Sequence, residues 1–339
     1  MPDINPIHFN KTAVEELKAA LKNHKIPNAL AFIGDKNTRK KNAAFFFAKA
    51  ANCMENQTFP CENCRSCKKI EQGLHPDIRL VEPENNKKTI AISQVRALGD
   101  DISTRPNEAA LRVVLISDSD LMTVQAQNAL LKMIEEPPDR TVFILMAKSE
   151  SGLLPTILSR CRTIRFKQLS SQQVRQYLIG EYGADPELAH IACETAGADV
   201  TTAVRYLGLD KEKDDMASWI NARKWVLSQL ASLTSSDRFG VSEALALSHR
   251  LSLSPVLMTD VLAVIQTFFR DLVIFGHNPD AIVNTDMRKV FSEFHQTLAP
   301  SLFIKWLESL FETNQRLMTN ASVRLTLDRF FLKLVQDKG

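Results

Sequence analysis

Glycine is scarce in this sequence, with 11 in 339 residues, roughly half the average usage of about 7%. So little glycine in a leucine- and alanine-rich chain excludes β-barrels, β-propellers and long flexible linkers, and leaves mostly helical architecture as the expectation. A charge excess of either sign is also missing: 42 Lys and Arg face 39 Asp and Glu, a net +3. That balance excludes a polybasic or histone-like binder, so any contact with nucleic acid has to be a local patch. Long apolar runs are absent too. The longest, around Val261 to Phe275, is broken by Gln266, Arg270 and Asp271 and is too polar to span a bilayer. The opening Met1-Pro2-Asp3-Ile4-Asn5-Pro6 has neither the basic start nor the apolar core of a secretory signal, and the expected compartment is the cytoplasm. What is present, 45% hydrophobic and 24% charged residues, is the composition of a globular protein with room for two or three domains.

Short apolar runs alternate with helical patterns in the first half. Leu30–Ile33, Ile78–Val81, Arg112–Ile116, Thr141–Met146 and Thr163–Phe166 read as strands. Helices are expected over Arg39–Asn52, from an N-cap at Ser93 with Val95, Leu98 and Ile102 on one face, and from about Thr123 to Ile134. Strands alternating with helices predict a parallel sheet covered on both faces. After Phe166 the pattern turns helical: Ser170–Tyr182, Pro186–Ala196 and Thr201–Leu207, then amphipathic stripes through Val261–Phe275 and Leu327–Leu334. The charge run Leu209–Asp215 suits a linker or a solvated helix start. The reading is therefore α/β plus all-α, in three parts: an α/β domain, a small helical domain and a helical C-terminal domain.

Six cysteines are unevenly placed. Cys53, Cys61, Cys64 and Cys67 fall within fifteen residues, while Cys161 and Cys193 stand alone. In a chain of this size without an export signal, that density points to a metal rather than disulfides. Four thiolates fill a zinc tetrahedron and leave no position for water, so the zinc would be structural. An iron–sulfur cluster is the rival, and unligated buried thiols the blander alternative. His75 lies nearby and is not needed as a ligand.

Three further constellations bear on phosphate chemistry. Gly34-Asp35-Lys36-Asn37-Thr38-Arg39-Lys40-Lys41 stands between a strand and a helix, the place of a phosphate loop of pattern G-x-x-x-x-G-K-[ST]. Gly34 and Lys40 fit, but Arg39 replaces the second glycine and Lys41 the magnesium-holding hydroxyl. At the end of the strand Arg112–Ile116, Ser117 stands where a nucleotide hydrolase needs a carboxylate, and Asp118 and Asp120 are candidate caps for the next helix. Arg160, in Ser159-Arg160-Cys161, is either a surface charge or a guanidinium offered to a phosphate on another subunit. Sequence physics alone does not choose. Arg96, off the apolar face of the Ser93 helix, is a candidate DNA phosphate contact or a solvated arginine.

The order of these stretches resembles the subunits of the bacterial DNA polymerase III clamp loader, a branch of the AAA+ family. The resemblance is carried by Phe32–Lys40, the four cysteines, His75-Pro76-Asp77, Val95-Arg96, Met122–Lys132, Glu135-Glu136-Pro137-Pro138 and Leu154–Cys161. It is dense over about residues 10–170 and loose beyond. It implies an AAA+ parallel-sheet domain over 1–166 with an inserted zinc module at about 53–67, a helical lid over 167–209 and a helical collar over 210–339. It also implies a role for the departures from the ATP-hydrolysing pattern at Arg39, Lys41 and Ser117. Ser149, where the family places its first sensor, is not diagnostic. Asp199–Thr202, near the second, supplies no arginine, and Arg205 lies three residues further along. The implied function is a polymerase-holoenzyme subunit that does not hydrolyse ATP. It would offer Arg160 in trans to ATP held only by a neighbour, so that the assembly loads a sliding clamp on primed DNA. The implied partners are the gamma and tau ATPase subunits, the delta subunit, the clamp indirectly and primed DNA through the complex, with no membrane. An active gamma-like ATPase and a zinc-stabilised nucleic-acid-binding module are the alternatives.

Overall fold

Apolar runs bounded by Gly34, Pro83 and Ser117 form strands of one sheet in the computed structural model, which describes residues 10–23, 25–56, 59–84, 89–209, 216–232, 240–253, 255–317, 319 and 321–337. The strands are β1 (Ala29–Ile33), β2 (Ile78–Val81), β3 (Arg112–Ile116), β4 (Thr141–Ala147) and β5 (Arg162–Arg165). They lie in the order β2-β3-β4-β1-β5 and every pairing is parallel. Every residue of β1, β3 and β4 is buried, as a sheet covered on both faces requires. These are the central strands, and they were the most continuously apolar in sequence.

Alternation along each strand separates two cores. Leu30, Phe32, Val113, Leu115, Val142, Ile144, Met146 and Ile164 face one side. There they meet α1 (Lys11–Lys22), α2 (Lys40–Ala51) and Ile70 of α3 (Arg65–Glu71). Ala29, Ala31, Ile33, Val114, Ile116, Phe143, Leu145 and Ala147 face the other. They are covered by Val95, Leu98 and Ile102 of α4 (Ile92–Ile102), Ala126, Leu130 and Ile134 of α5 (Val124–Glu135), and Ile157 of α6 (Pro155–Leu158). Each fully buried aliphatic or aromatic side chain contributes about 1.5–3 kcal/mol.

Two helix starts differ from expectation. Ser93 is not a cap: α4 begins at Ile92 after Ala91. Gln94 caps from inside the helix, its Oε1 accepting the Ala91 N–H at 3.1 Å while its Nε2 donates to the Glu82 carbonyl at 2.8 Å. The glutamine reaches both the helix start and the loop after β2, which the short Ser93 side chain does not. Asp118 and Asp120 do not cap α5 either. Thr123 does, its Oγ1 accepting the Ala126 N–H at 3.2 Å. Asp120 instead accepts the Lys148 N–H after β4.

The described residues divide into two compact units at Leu169/Ser170. The second is all helical: α7 (Ser171–Tyr182), α8 (Pro186–Thr195), α9 (Val200–Tyr206), α10 (Met216–Ala231), α11 (Val241–Ser252), α12 (Pro255–Phe275), α13 (Arg288–Thr297), α14 (Pro300–Leu317) and α15 (Val323–Gln336). Phe268, Phe269, Phe291, Phe294, Phe303, Trp306, Phe330 and Phe331 are fully buried and form its centre. The stripe Phe303, Trp306, Leu310 is therefore internal core, with Leu307 half-buried. Within this unit Arg205 pairs with Asp260 through two bonds of 2.6 and 2.8 Å, and Tyr206 stacks on Trp219 at 4.3 Å. Of the charge run Leu209–Asp215, residues 210–215 lie outside the described residues. Among the described residues, no helix is long and apolar enough to cross a membrane.

Candidate functional site

The cysteine cluster is assembled by the end of α2 and the start of α3. Cys53 follows α2, while Cys64 is the N-cap of α3 and Cys67 lies in its first turn. The turn between Cys61 and Cys64 passes through Glu62 in the left-handed region, φ 59°. All four sulfurs lie within 4.8 Å of one another, and none is in a disulfide. Tetrahedral zinc with Zn–S of about 2.3 Å needs sulfurs about 3.8 Å apart, so the residues fit that ion. Backbone donors already face the sulfurs: Asn56 N–H to Cys53 Sγ at 3.4 Å, Cys64 N–H to Cys61 Sγ at 3.2 Å and Cys67 N–H to Cys64 Sγ at 3.5 Å. Such donors stabilise thiolate. Burial opposes ionisation of Cys64, but the N–H groups of Cys67 and Met54 outweigh it and bring the thiol down to about 6. Burial raises Cys67 above the ordinary thiol range.

The module is fastened to the sheet domain in two ways. Ile70 enters the core, and the buried Lys49 of α2 pairs with Glu62, at 2.6 Å, and with Glu71. His75 is not among the ligands; its Nδ1 accepts the Asp77 N–H at 3.2 Å. Cys161 and Cys193 stand apart, their thiols pushed by burial to about 12 and about 11. That makes both weak nucleophiles.

The Gly34–Lys41 loop follows the carboxyl end of β1. Gly34 serves packing here, since a Cβ on it would meet the Phe166 carbonyl O at 2.5 Å. Arg39 keeps the left-handed conformation, φ 62° and ψ 20°, that a glycine would take without strain. Its side chain is buried. Lys40 Nζ donates to the Gly34 and Asp35 carbonyls at 2.7 and 3.1 Å. Lys41 pairs with Glu82 at 2.6 Å. The loop is thus closed on its own carbonyls and on a neighbouring carboxylate.

At the end of β3, Ser117 is buried and its N–H donates to the Val81 carbonyl at 2.9 Å. Asp118 follows in the left-handed region, φ 48°, and no carboxylate occupies the strand end itself. Ser149 bonds Ser151 at 2.8 Å. Arg96 is exposed on α4. Arg160 follows α6, where its Nη1 donates to the Thr156 carbonyl at 3.1 Å and its Nε pairs with Glu135 Oε1 at 2.6 Å.

Sheet topology separates these groups. Parallel pairing sets Leu30 against Arg162 and Ile33 against Arg165. Gly34 thus leaves the carboxyl edge, while Arg160 precedes β5 at the amino edge. The four steps from Arg162 to Phe166, which the register sets opposite Gly34, already put about 13 Å between them along the strands.

Three residues that organise the site were not singled out from sequence. Asp77, fully buried, accepts the N–H groups of Asn107, Glu108 and Ala109 at 2.8, 2.9 and 2.9 Å. Gln127 of α5 accepts the Leu154 N–H at 2.8 Å and donates to the Gly152 carbonyl at 3.2 Å, holding the entry to α6. Glu135 holds Arg160 at the exit. All three stand inside stretches that carried the resemblance, which was the only signal.

The first half of the chain is similar to known proteins. Residues 9–170 match the model of the family described as DNA polymerase III, delta subunit. DNA polymerase III subunit delta' of Bacillus subtilis is 37% identical over 172 residues, 51% of this chain and 51% of its own length. The Escherichia coli subunit delta' is 26% identical over 268 residues, 79% of this chain and 75% of that protein. Subunit tau of B. subtilis is 33% identical over 168 residues, 49% of this chain and 29% of that protein. The chain thus spans about half the length of the first of these relatives and under a third of the tau subunit. Through residues 9–170, just under half of its length, the chain is similar to the DNA polymerase III delta subunit family.

Proposed function

We propose that this chain is a delta'-type subunit of a DNA polymerase III clamp loader that does not hydrolyse ATP and supplies Arg160 to a nucleotide held by a neighbouring ATPase subunit. One observation carries the reading: the sheet places the phosphate-loop remnant and Arg160 at opposite edges. The guanidinium cannot serve a nucleotide at its own loop, whereas an arginine finger works from another subunit and needs no phosphate loop of its own. Supporting it, Lys40 is bonded to the loop's own carbonyls, Lys41 to Glu82, and Ser117 replaces a carboxylate.

In this account ATP sits in a tau- or gamma-type neighbour, and its phosphates draw Arg160 across the interface. That closure shapes the assembly, with a delta subunit, to hold a sliding clamp open for primed DNA. A zinc ion on Cys53, Cys61, Cys64 and Cys67 would cross-link α2 to α3 and offer no open position for substrate. Residues 167–209 act as the lid and 210–339 as the collar. Arg96 contributes at most one exposed phosphate contact.

The test has two parts. The isolated chain titrated with Mg-ATP is expected to show no saturable binding up to 1 mM, about the −4.1 kcal/mol level, and no change on Lys40→Ala. Mixed with tau or gamma and delta subunits, it is expected to co-elute as one assembly. Tight binding with turnover abolished by Lys40→Ala would instead identify an active ATPase. Salt-sensitive DNA binding by the chain alone, lost on zinc removal, would identify a nucleic-acid-binding module.

A further inference from the structure

Glu135 closes α5 ahead of Pro137 and Pro138, and its sequence context accounts only for the end of a helix. Its carboxylate does something else in space. Glu135 Oε1 forms an ion pair with Arg160, 2.6 Å from its Nε, across a gap of 25 residues in sequence. The same guanidinium donates through Nη1 to the Thr156 carbonyl at 3.1 Å and the Ser159 hydroxyl at 3.3 Å. Among the described residues, no partner bonds Nη2. A guanidinium is planar, with its donors in a rigid fork, so fixing Nε and Nη1 fixes the plane and the direction of Nη2 as well.

Both side chains are open to water, at 41% and 45% exposure, and pairs of that kind add little to stability. The contact is therefore better suited to orientation than to holding the fold together. We propose that Glu135 is a positioning residue for Arg160. By holding Nε it presents Nη2 to an anionic phosphate on a neighbouring molecule. The inference rests on the proposed role of Arg160 in trans and adds what aims it.

Competition is the opposite possibility: a carboxylate that restrains the arginine and releases it when phosphate arrives. The two have opposite signs. Orientation predicts slower turnover without Glu135, and restraint predicts faster turnover.

The experiment is steady-state ATP hydrolysis by the reconstituted loader carrying full-length chain as wild type, Glu135→Ala, Glu135→Gln, Arg160→Ala or the double variant Glu135→Ala/Arg160→Ala. Misplacement by about 1 Å can cost up to about 100-fold. Glu135→Ala is expected to lower kcat about 5- to 20-fold with KM for ATP unchanged, and to leave the thermal unfolding of the free chain unmoved. Glu135→Gln retains an oxygen for Nε and is expected to recover most of the rate. In the Arg160→Ala background the loss of Glu135 is expected to add nothing. Unchanged or faster turnover with Glu135→Ala, where Arg160→Ala is slow, would overturn the role of Glu135 and leave the finger standing. So would a further loss on top of Arg160→Ala. Indifference of the loader to Arg160→Ala would overturn the finger reading itself, and with it the inference.

Discussion

Replacing Asp77 with alanine removes a fully buried carboxylate that three consecutive backbone N–H groups share. The bonds from Asn107, Glu108 and Ala109 measure 2.8, 2.9 and 2.9 Å, and Arg112, itself buried, stands 3.6 Å away. A hydrogen bond to a charged group contributes about 1.5–3 kcal/mol net. The lower figure applies, because the donors lie on a loop that water can reach. Three such bonds come to about 4.5 kcal/mol, and relief from keeping a charge dry offsets about 1–2 kcal/mol of that. The expected loss is about 3 kcal/mol, a large share of a total that lies between about 5 and 15 kcal/mol.

The pH dependence has a definite sign. Burial pushes the Asp77 carboxyl up, but the three N–H donors and Arg112 outweigh it and hold it below the ordinary value. Its stabilisation is therefore complete above about pH 4 and is lost as pH falls through the lower native value. Wild type and variant are expected to converge only below about pH 4. All three Trp and all three Tyr lie at or beyond Tyr177, so intrinsic fluorescence is silent on this unit. The assay is hydrogen exchange by peptide mass spectrometry over 103–116 across a urea series. A loss under 1 kcal/mol at pH 7, with amides 107–109 still protected, would refute the reasoning.

The metal reading predicts one zinc per chain by elemental analysis, and loss of exchange protection over 53–71 on chelation or with Cys64→Ser. An iron-containing chromophore would show the assignment wrong. Gly34→Ala forces a Cβ to within 2.5 Å of the Phe166 carbonyl O and is expected to cost about 1–3 kcal/mol by denaturant-dependent exchange over β1. An indifferent variant would mean that β1 and β5 part readily. Gln127→Ala strands the Leu154 N–H and the Gly152 carbonyl and should cost about 2 kcal/mol, with exchange rising at 152–158. Unaltered exchange there would remove Gln127 as the clamp on α6.

How much of this was legible beforehand follows from the range of each interaction. β1, β3 and β4 are buried on both faces, so their side chains read as unbroken apolar runs, and β2 and β3 have the bounds their runs predict. The cysteine cluster was legible because ligand spacing is local: three of the four sulfurs lie within one short turn and one helical turn. Asp77 and residues 107–109 are 30 to 32 positions apart, and nothing periodic links them. Glu135 and Arg160 belong to two different motifs that only the fold brings together. Ser93 misled because a good capping residue stood two positions beyond the true N-cap, Ala91, where Gln94 takes over the task. Arg39 takes the left-handed conformation that a glycine adopts without strain, which sequence alone does not reveal.

The most direct test of the central claim is ATP turnover by a loader assembled with the chain carrying Arg160→Ala. An arginine finger is worth about 10³–10⁵ in rate at the site it serves. The account predicts a well-folded variant that still assembles, with hydrolysis at the adjacent site reduced by at least about 100-fold. Hydrolysis at that site equal to wild type, in an assembly of normal composition, would contradict it.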